Sequence, residues 1–245
     1  MPPIGFPAPL ISARRIATQE HGTCAIVTDG ADAARAAYAA RGAALVDAMT
    51  GEPVVGAQVR IEQNVGADSL CGALAQQYID GAQAAGHEVR TLRVADLRFD
   101  PILHGGYEGE QPLEPDLVQA REAISWAQHL VWVYPIWWGG MPALLKGFID
   151  RVFLPGFAFK YRRGSPFWDR LLGGRSAELL VTMDSPPWYF RLVNRMPGHH
   201  QMRKTILQFS GITPVRIHSF GSVKGSTPER RAAWLRKALK LGRSA

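Results

Sequence analysis

The apolar positions of this chain fall into short runs separated by stretches of helical period. The run HLVWVY at 129–134 is almost wholly apolar, as a strand covered on both faces must be. AELLVT at 177–182 and VRIHSF at 215–220 predict two further strands, and residues 88–94 another. Between them lie helices. Residues 69–86 place Leu70, Leu74, Tyr78 and Ile79 on one stripe, with Asp68 or Ser69 as the cap and Gly86 as the stop. Residues 113–128 carry Pro115 in the first turn and a stripe of Leu117, Ala120 and Ile124. Pro142 opens a third helix, ending at Phe153. Residues 200–210 put Met202, Ile206 and Phe209 on one side, and 228–241 close the chain as a basic amphipathic helix. Strand–helix alternation at this spacing predicts right-handed crossovers and a parallel sheet. With five strands and helices on both faces, the order is 2-1-3-4-5. A ligand then sits beyond the carboxyl ends of the strands, where the order reverses.

Residues 1–56 follow no such rule and are expected to be an irregular N-terminal extension to a domain at 57–245. Within the extension, 24–28 (CAIVT) suits a strand, 31–49 an alanine-rich helix interrupted at Gly42, and 50–53 a turn. The strand ahead of the first domain helix, QVRIEQ at 58–63, alternates polar and apolar residues. A central parallel strand is normally an apolar run, and burying Arg60 and Glu62 unpaired is costly. Three arrangements satisfy the sequence: one face of this strand is exposed, its two charges are paired, or 24–28 takes the central place.

Composition removes several function classes. A chain of 245 residues with 47% apolar residues buries a full core unaided. No window approaches the roughly 18 apolar residues of a membrane span, and no charged residue precedes the short apolar patch at the N-terminus, which argues against a secretory signal. Cys24 and Cys71 are the only cysteines, without zinc or redox spacing, so no metal is expected and a reduced cytoplasmic setting is. The net charge of +7 is spread at helical spacing and accompanies no nucleic-acid-binding module, so a nucleic-acid partner is not expected.

Candidate chemistry concentrates in residues 131–153, VWVYPIWWGGMPALLKGFIDRVF. Trp137 and Trp138 follow a buried strand and precede Gly139 and Gly140, which let a ligand approach the backbone. Adjacent indoles on a strand-to-helix loop suit a flat ligand; they also suit a cap on the sheet edge or a dimer contact. The next strand leads into Thr182-Met183-Asp184-Ser185, then Pro186, Pro187, Trp188 and Tyr189. Two stiff aromatic loops would thus flank one cleft.

These residues resemble the NAD(P)H dehydrogenase (quinone) family, quinone reductases of flavodoxin-like fold. The resemblance rests on YPIWWGGMPALLKGFIDRVF, SLCGALA at 69–75, ADLRFDPIL at 95–103, LLVTMDSPPWY at 179–189 and FGSVKGS at 220–226, in collinear order over about residues 64–245. It implies a flavodoxin-like five-stranded fold and a two-electron reductase with bound flavin, FAD or alternatively FMN, using NAD(P)H. Hydride would pass to flavin N5 and then, in ping-pong fashion, to a quinone or similar flat acceptor. Pro135, Ile136, Trp137, Trp138 and Gly139 would contact the flavin ring, and Thr182, Met183, Asp184 and Ser185 its pyrimidine side. Asn64, Ser69, Leu70 and Cys71 would lie at the phosphate end, although the family's His-Pro pair is absent there and Asn64 brings no charge. Tyr189 matches a tyrosine near the hydride-transfer site, and His199 or His200 stands near an active-site histidine; both histidines fit a surface helix start equally well. A homodimer with the flavin near its interface is implied, with apolar anchors available in FLPGFAFKYRRGSPFW at 153–168. The altered residues at 58–65 leave one alternative: a binding or regulatory protein of the same fold that has lost its flavin.

Overall fold

The computed structural model describes residues 58–62 as backbone, and 69–107, 109 and 111–245. Residues 1–57, which include the expected extension and the candidate strand at 24–28, lie outside the described residues, as does Asn64.

The strands are β1 (Gln58–Glu62), β2 (Val89–Arg93), β3 (His129–Pro135), β4 (Phe159–Tyr161), β5 (Trp168–Arg170), β6 (Ser176–Thr182) and β7 (Val215–Phe220). The helices are α1 (Leu70–Ala84), α2 (Pro115–Trp126), α3 (Ala143–Val152), α4 (Pro187–Leu192), α5 (Pro197–His200) and α6 (Pro228–Arg243). The main sheet is parallel, in the order β2-β1-β3-β6-β7. β4 and β5 form a separate antiparallel hairpin. The expected doubly wound topology is therefore present, and the switch point lies between β1 and β3. Of the three arrangements left open above, the one that gave the central place to residues 24–28 is excluded. Gln58–Glu62 is itself paired on both sides, with Arg60 in register with Thr91 and Val131.

Side-chain alternation sorts the sheet into two cores. Leu130, Trp132, Tyr134, Leu179 and Val181 face the apolar stripes of α2 and α3. Val131, Val133 and Leu180 face Leu74, Tyr78 and Ile79 of α1 and Ala238 of α6. Both faces of β3 are dry, which is why its sequence is an unbroken apolar run. The pair α1 and α6 approaches unusually closely. A Cβ on Gly81 would stand 2.1 Å from Leu239 O, and one on Gly242 2.1 Å from Tyr78 O. Glycine is required at both contacts because backbone lies against backbone.

The termini of α1 obey their sequence signals. Ser69 Oγ accepts from Gly72 N at 3.2 Å, and Gly86 takes the left-handed conformation (φ 89°) after the last turn. Two segments differ from expectation. The proline-rich loop contains α4, because Pro187 occupies a helical first turn where no amide donor is needed. The helix after it begins as α5 and continues as a π-helix over Gln201–Gln208. The wider π-turn brings Leu207 to full burial beside Met202 and leaves Ile206 half-buried.

The aromatic stretch at 153–168 packs mostly inward. Phe153 and Phe159 join the core, and Trp168 stacks on Phe209 (4.4 Å, 20°) while donating to Phe209 O at 2.9 Å. Only Tyr161 and Phe167 of its aromatic rings remain more than half exposed. Most of this stretch therefore serves intramolecular packing.

Candidate functional site

The site forms where β3 and β6 end. Ile136 N donates to Thr182 O at 2.7 Å, extending the strand pairing one step past the sheet. The chain then reverses: Trp137 N donates to Gly140 O at 2.9 Å and Gly140 N to Trp137 O at 3.0 Å. The two central residues, Trp138 (φ 50°) and Gly139 (φ 81°), are both left-handed, as a primed turn requires. Glycine does this freely. Tryptophan does it at a cost of about 1 kcal/mol or more, and here the strained indole is fully exposed. Strain of this kind concentrates at functional sites.

The loop after β6 is tied to the segment that follows β7, and the tryptophan turn to residues 195–198. Met183 N donates to Phe220 O at 2.9 Å and Val223 N to Met183 O at 3.3 Å, while Asp184 Oδ1 accepts from Lys224 N at 3.0 Å. Gly221 lies under the proline loop; a Cβ there would meet Pro187 Cδ at 2.5 Å and Ser185 O at 2.8 Å. Behind the turn, Arg195 and Met196 take positive φ (58° and 51°) and deliver Gly198, whose N donates to Gly139 O at 2.8 Å.

The open cleft between the two loops has a volume of about 660 Å³. Pro135, Ile136, Trp137, Trp138 and Gly139 line it from one side and Thr182, Met183, Asp184 and Ser185 from the other, so nine predicted positions come together. Phe190, Asn194, Pro197 and Val223 complete it and were missed. Val223 lies in the FGSVKGS motif, which offered a signal. Phe190 reads as a core residue of a short helix, and it is buried; nothing in the sequence marks its second role. At the floor, Thr182 Oγ1 is 3.2 Å from Cys71 Sγ. This contact ties the first turn of α1 to a cleft-lining residue, although Ser69, Leu70 and Cys71 are not themselves in the lining. The side chains of Leu70 and Cys71 pack in the α1–α6 core, so any ligand contact they make is through their backbone.

The three predicted proton carriers are not part of the cleft lining. Tyr189 is half-exposed on α4 beside Trp188 (ring centroids 5.8 Å apart). His199 is buried behind Phe190, the rings 5.1 Å apart, with Nε2 2.9 Å from Ser219 Oγ. Burial, and then the positive charge of His200 and Arg203, pushes the pKa of His199 down to about 4. Its imidazole is therefore neutral near pH 7. His199 and exposed His200 line a second cavity of about 310 Å³ that shares only Met183 and Phe190 with the cleft. Another polar cluster, Tyr78 with His129 and Ser176, sits where β3 and β6 begin and is remote from the cleft. Among the described residues no group of acidic, histidine and cysteine side chains is arranged to hold a metal.

Residues 62–241 match the family model described as flavodoxin-like fold. A relative from Haemophilus influenzae, named an uncharacterized NAD(P)H oxidoreductase, is 27% identical over 170 residues, covering 68% of this chain and 83% of that protein. The NAD(P)H dehydrogenase (quinone) 1 of Cavia porcellus is 29% identical over 109 residues; the match spans 36% of this chain and 40% of the relative's length. Among solved structures, the NAD(P)H:quinone oxidoreductase from Methanothermobacter marburgensis superposes with a TM-score of 0.65. It covers 78% of this chain and 97% of its own at 22% identity, a likeness of fold.

Proposed function

The chain belongs to the flavodoxin-like fold family, and on that premise we propose that it is a flavin-dependent NAD(P)H oxidoreductase delivering two electrons to quinones or similar flat acceptors. The observation that carries this reading is the cleft itself: two backbone-locked loops beyond the carboxyl ends of β3 and β6, with exposed indoles in the lining and the first turn of a 15-residue helix tied to the cleft-lining Thr182 through Cys71.

The residues present fit a flavin. Trp137 and Trp138 offer flat apolar faces. Gly139 carries no side chain on the turn, so a ring approaches the backbone closely. The first turn of α1 presents outward-pointing amides and the positive end of the helix dipole, which suits a phosphate without a basic side chain. FAD is the proposed flavin, with FMN as the alternative.

When bound, the flavin supplies the centre that accepts and gives up hydride. The chain's part is positioning and exclusion of water. Met183 and Phe190 form the dry inner wall, and Pro135 and Ile136 hold the turn to the sheet edge. NAD(P)H and acceptor use the one cleft in succession, the oxidised nucleotide leaving before the quinone enters. Tyr189 is proposed to hand a proton to the reduced acceptor at the rim. The large apolar side chains left exposed on the turn and α4, including Trp138 (107%), Trp188 (63%) and Leu192 (70%), support a homodimer that covers the cleft mouth. We place the protein in the cytoplasm; among the described residues no helix is long and apolar enough to cross a membrane.

The test is steady-state NAD(P)H oxidation by full-length protein reconstituted with FAD or FMN, with a benzoquinone as acceptor. The expected result is flavin-dependent turnover with parallel double-reciprocal lines, weakened by Trp137→Ala. A folded protein that takes up neither flavin and oxidises no nucleotide would overturn the proposal in favour of a flavin-free binding protein of the same fold.

A further inference from the structure

We propose that the second cavity, behind Phe190, is a binding site for a small organic carboxylate built on a single apolar ring. This inference does not depend on the flavin reading.

The walls and the polar lining of the cavity differ sharply in character. Met183, Phe190, Met196 and Ile217 give it apolar sides. Two of these are methionines, which adapt to the shape of a guest. The charged groups in the lining, Arg191 and Arg203, are both cationic, and among the described residues no acidic side chain lines the cavity. Among the described residues neither guanidinium has an ion-pair or hydrogen-bond partner. Two unpaired cations near one another are electrostatically unfavourable, and an anion between them removes that repulsion.

His199 adds a second, independent sign of a missing guest. It is 95% buried, its exposure being 5%. Nε2 is bonded to Ser219, yet Nδ1 has no partner. Folded proteins rarely leave a buried ring nitrogen unmet. His199 and Ser219 both line the cavity, so this unmet nitrogen lies in its wall. A carboxylate accepts from the arginines of the lining, and Arg recognises it in a planar fork.

The dimensions select the rest of the ligand. About 310 Å³ is the lower end of the range for small-molecule sites, which are typically apolar with a few polar groups. A nucleotide is too large. Inorganic phosphate leaves the apolar walls unused. A monocyclic aromatic carboxylate satisfies both the walls and the cations.

The test uses full-length protein and calorimetric titration with benzoate, benzamide and inorganic phosphate. Benzoate is expected to bind at least about tenfold more tightly than benzamide, the difference being one charged hydrogen-bonded group. Arg191→Gln and Arg203→Gln are each expected to weaken benzoate by about tenfold without moving the melting temperature, since neither arginine is bonded to the rest of the protein. Equal binding of benzamide, binding of phosphate in preference to benzoate, or undiminished binding of benzoate by the doubly substituted protein would each overturn the proposal. So would the absence of benzoate binding. A protein that binds benzoate but no flavin leaves this site standing and removes the function proposed above.

Discussion

Replacing Gly198 with alanine probes the cleft by changing a residue that is not itself in the lining. The added methyl carbon would stand 2.7 Å from Gly139 O, 3.1 Å from Gly140 Cα and 3.1 Å from Ile136 Cδ1. The first two are backbone atoms, so the strain cannot be relieved by a rotamer change. The tryptophan turn must recede by several tenths of an ångström, and the 2.8 Å hydrogen bond from Gly198 N to Gly139 O lengthens with it. Overpacking of this kind costs about 1–3 kcal/mol, and a weakened hydrogen bond about 1 kcal/mol more. Because the turn has Trp138 and Gly139 at its apex and both line the cleft, most of that displacement falls on the ligand face. Flavin affinity is expected to drop by about ten- to a hundredfold, read by titrating FAD or FMN against protein fluorescence. The melting temperature in the absence of flavin is expected to fall only by the share of strain left in the free protein. Unchanged flavin affinity in a folded Gly198→Ala protein would refute the claim that this turn is held in register by its neighbour for the ligand's sake.

Trp138→Gly removes a side chain held at φ 50°; stability to urea is expected to rise by up to about 1 kcal/mol while flavin binding weakens, and a loss of stability would contradict the strain argument. Gly81→Ala drives a methyl to 2.1 Å from Leu239 O, forcing α1 and α6 apart; a cost of about 3 kcal/mol or more is expected in urea denaturation, with flavin affinity nearly intact in the protein that remains folded. For His199, the folded pKa of about 4 lies below the ordinary value near 6.5. The unfolded chain therefore binds the proton first as pH falls. Stability declines between about pH 6.5 and pH 4, by about 3 kcal/mol in all; His199→Gln is expected to flatten that part of the urea-midpoint profile, and an identical profile would remove the burial argument.

The residues that fold the domain were legible wherever a local rule had no competitor. HLVWVY can only be a doubly covered strand, Ser69 and Gly86 bound α1, and the Pro-Ile-Trp-Trp-Gly-Gly sequence marks the loop beyond it. QVRIE was harder, because its alternation describes a half-exposed strand while the sheet places it second from the edge with neighbours on both sides. Position in a sheet is a property of the whole topology and leaves no local trace. The same holds for the far wall of the cleft. Phe190, Asn194 and Pro197 reach it because α4 and two successive positive-φ residues, Arg195 and Met196, fold the chain back. Arginine and methionine give no warning of a left-handed bend. His199 and His200 were singled out only through the resemblance, and α5 places His199 behind Phe190, outside the cleft.

The central claim is that the space between the tryptophan turn and the proline-stiffened loop holds a flavin able to take electrons from NAD(P)H. The visible spectrum of the purified protein, after incubation with FAD or FMN and removal of the excess, tests it directly. Retained flavin absorbance that bleaches on adding NADH or NADPH and returns with a quinone is the predicted result. A colourless, folded protein would contradict it.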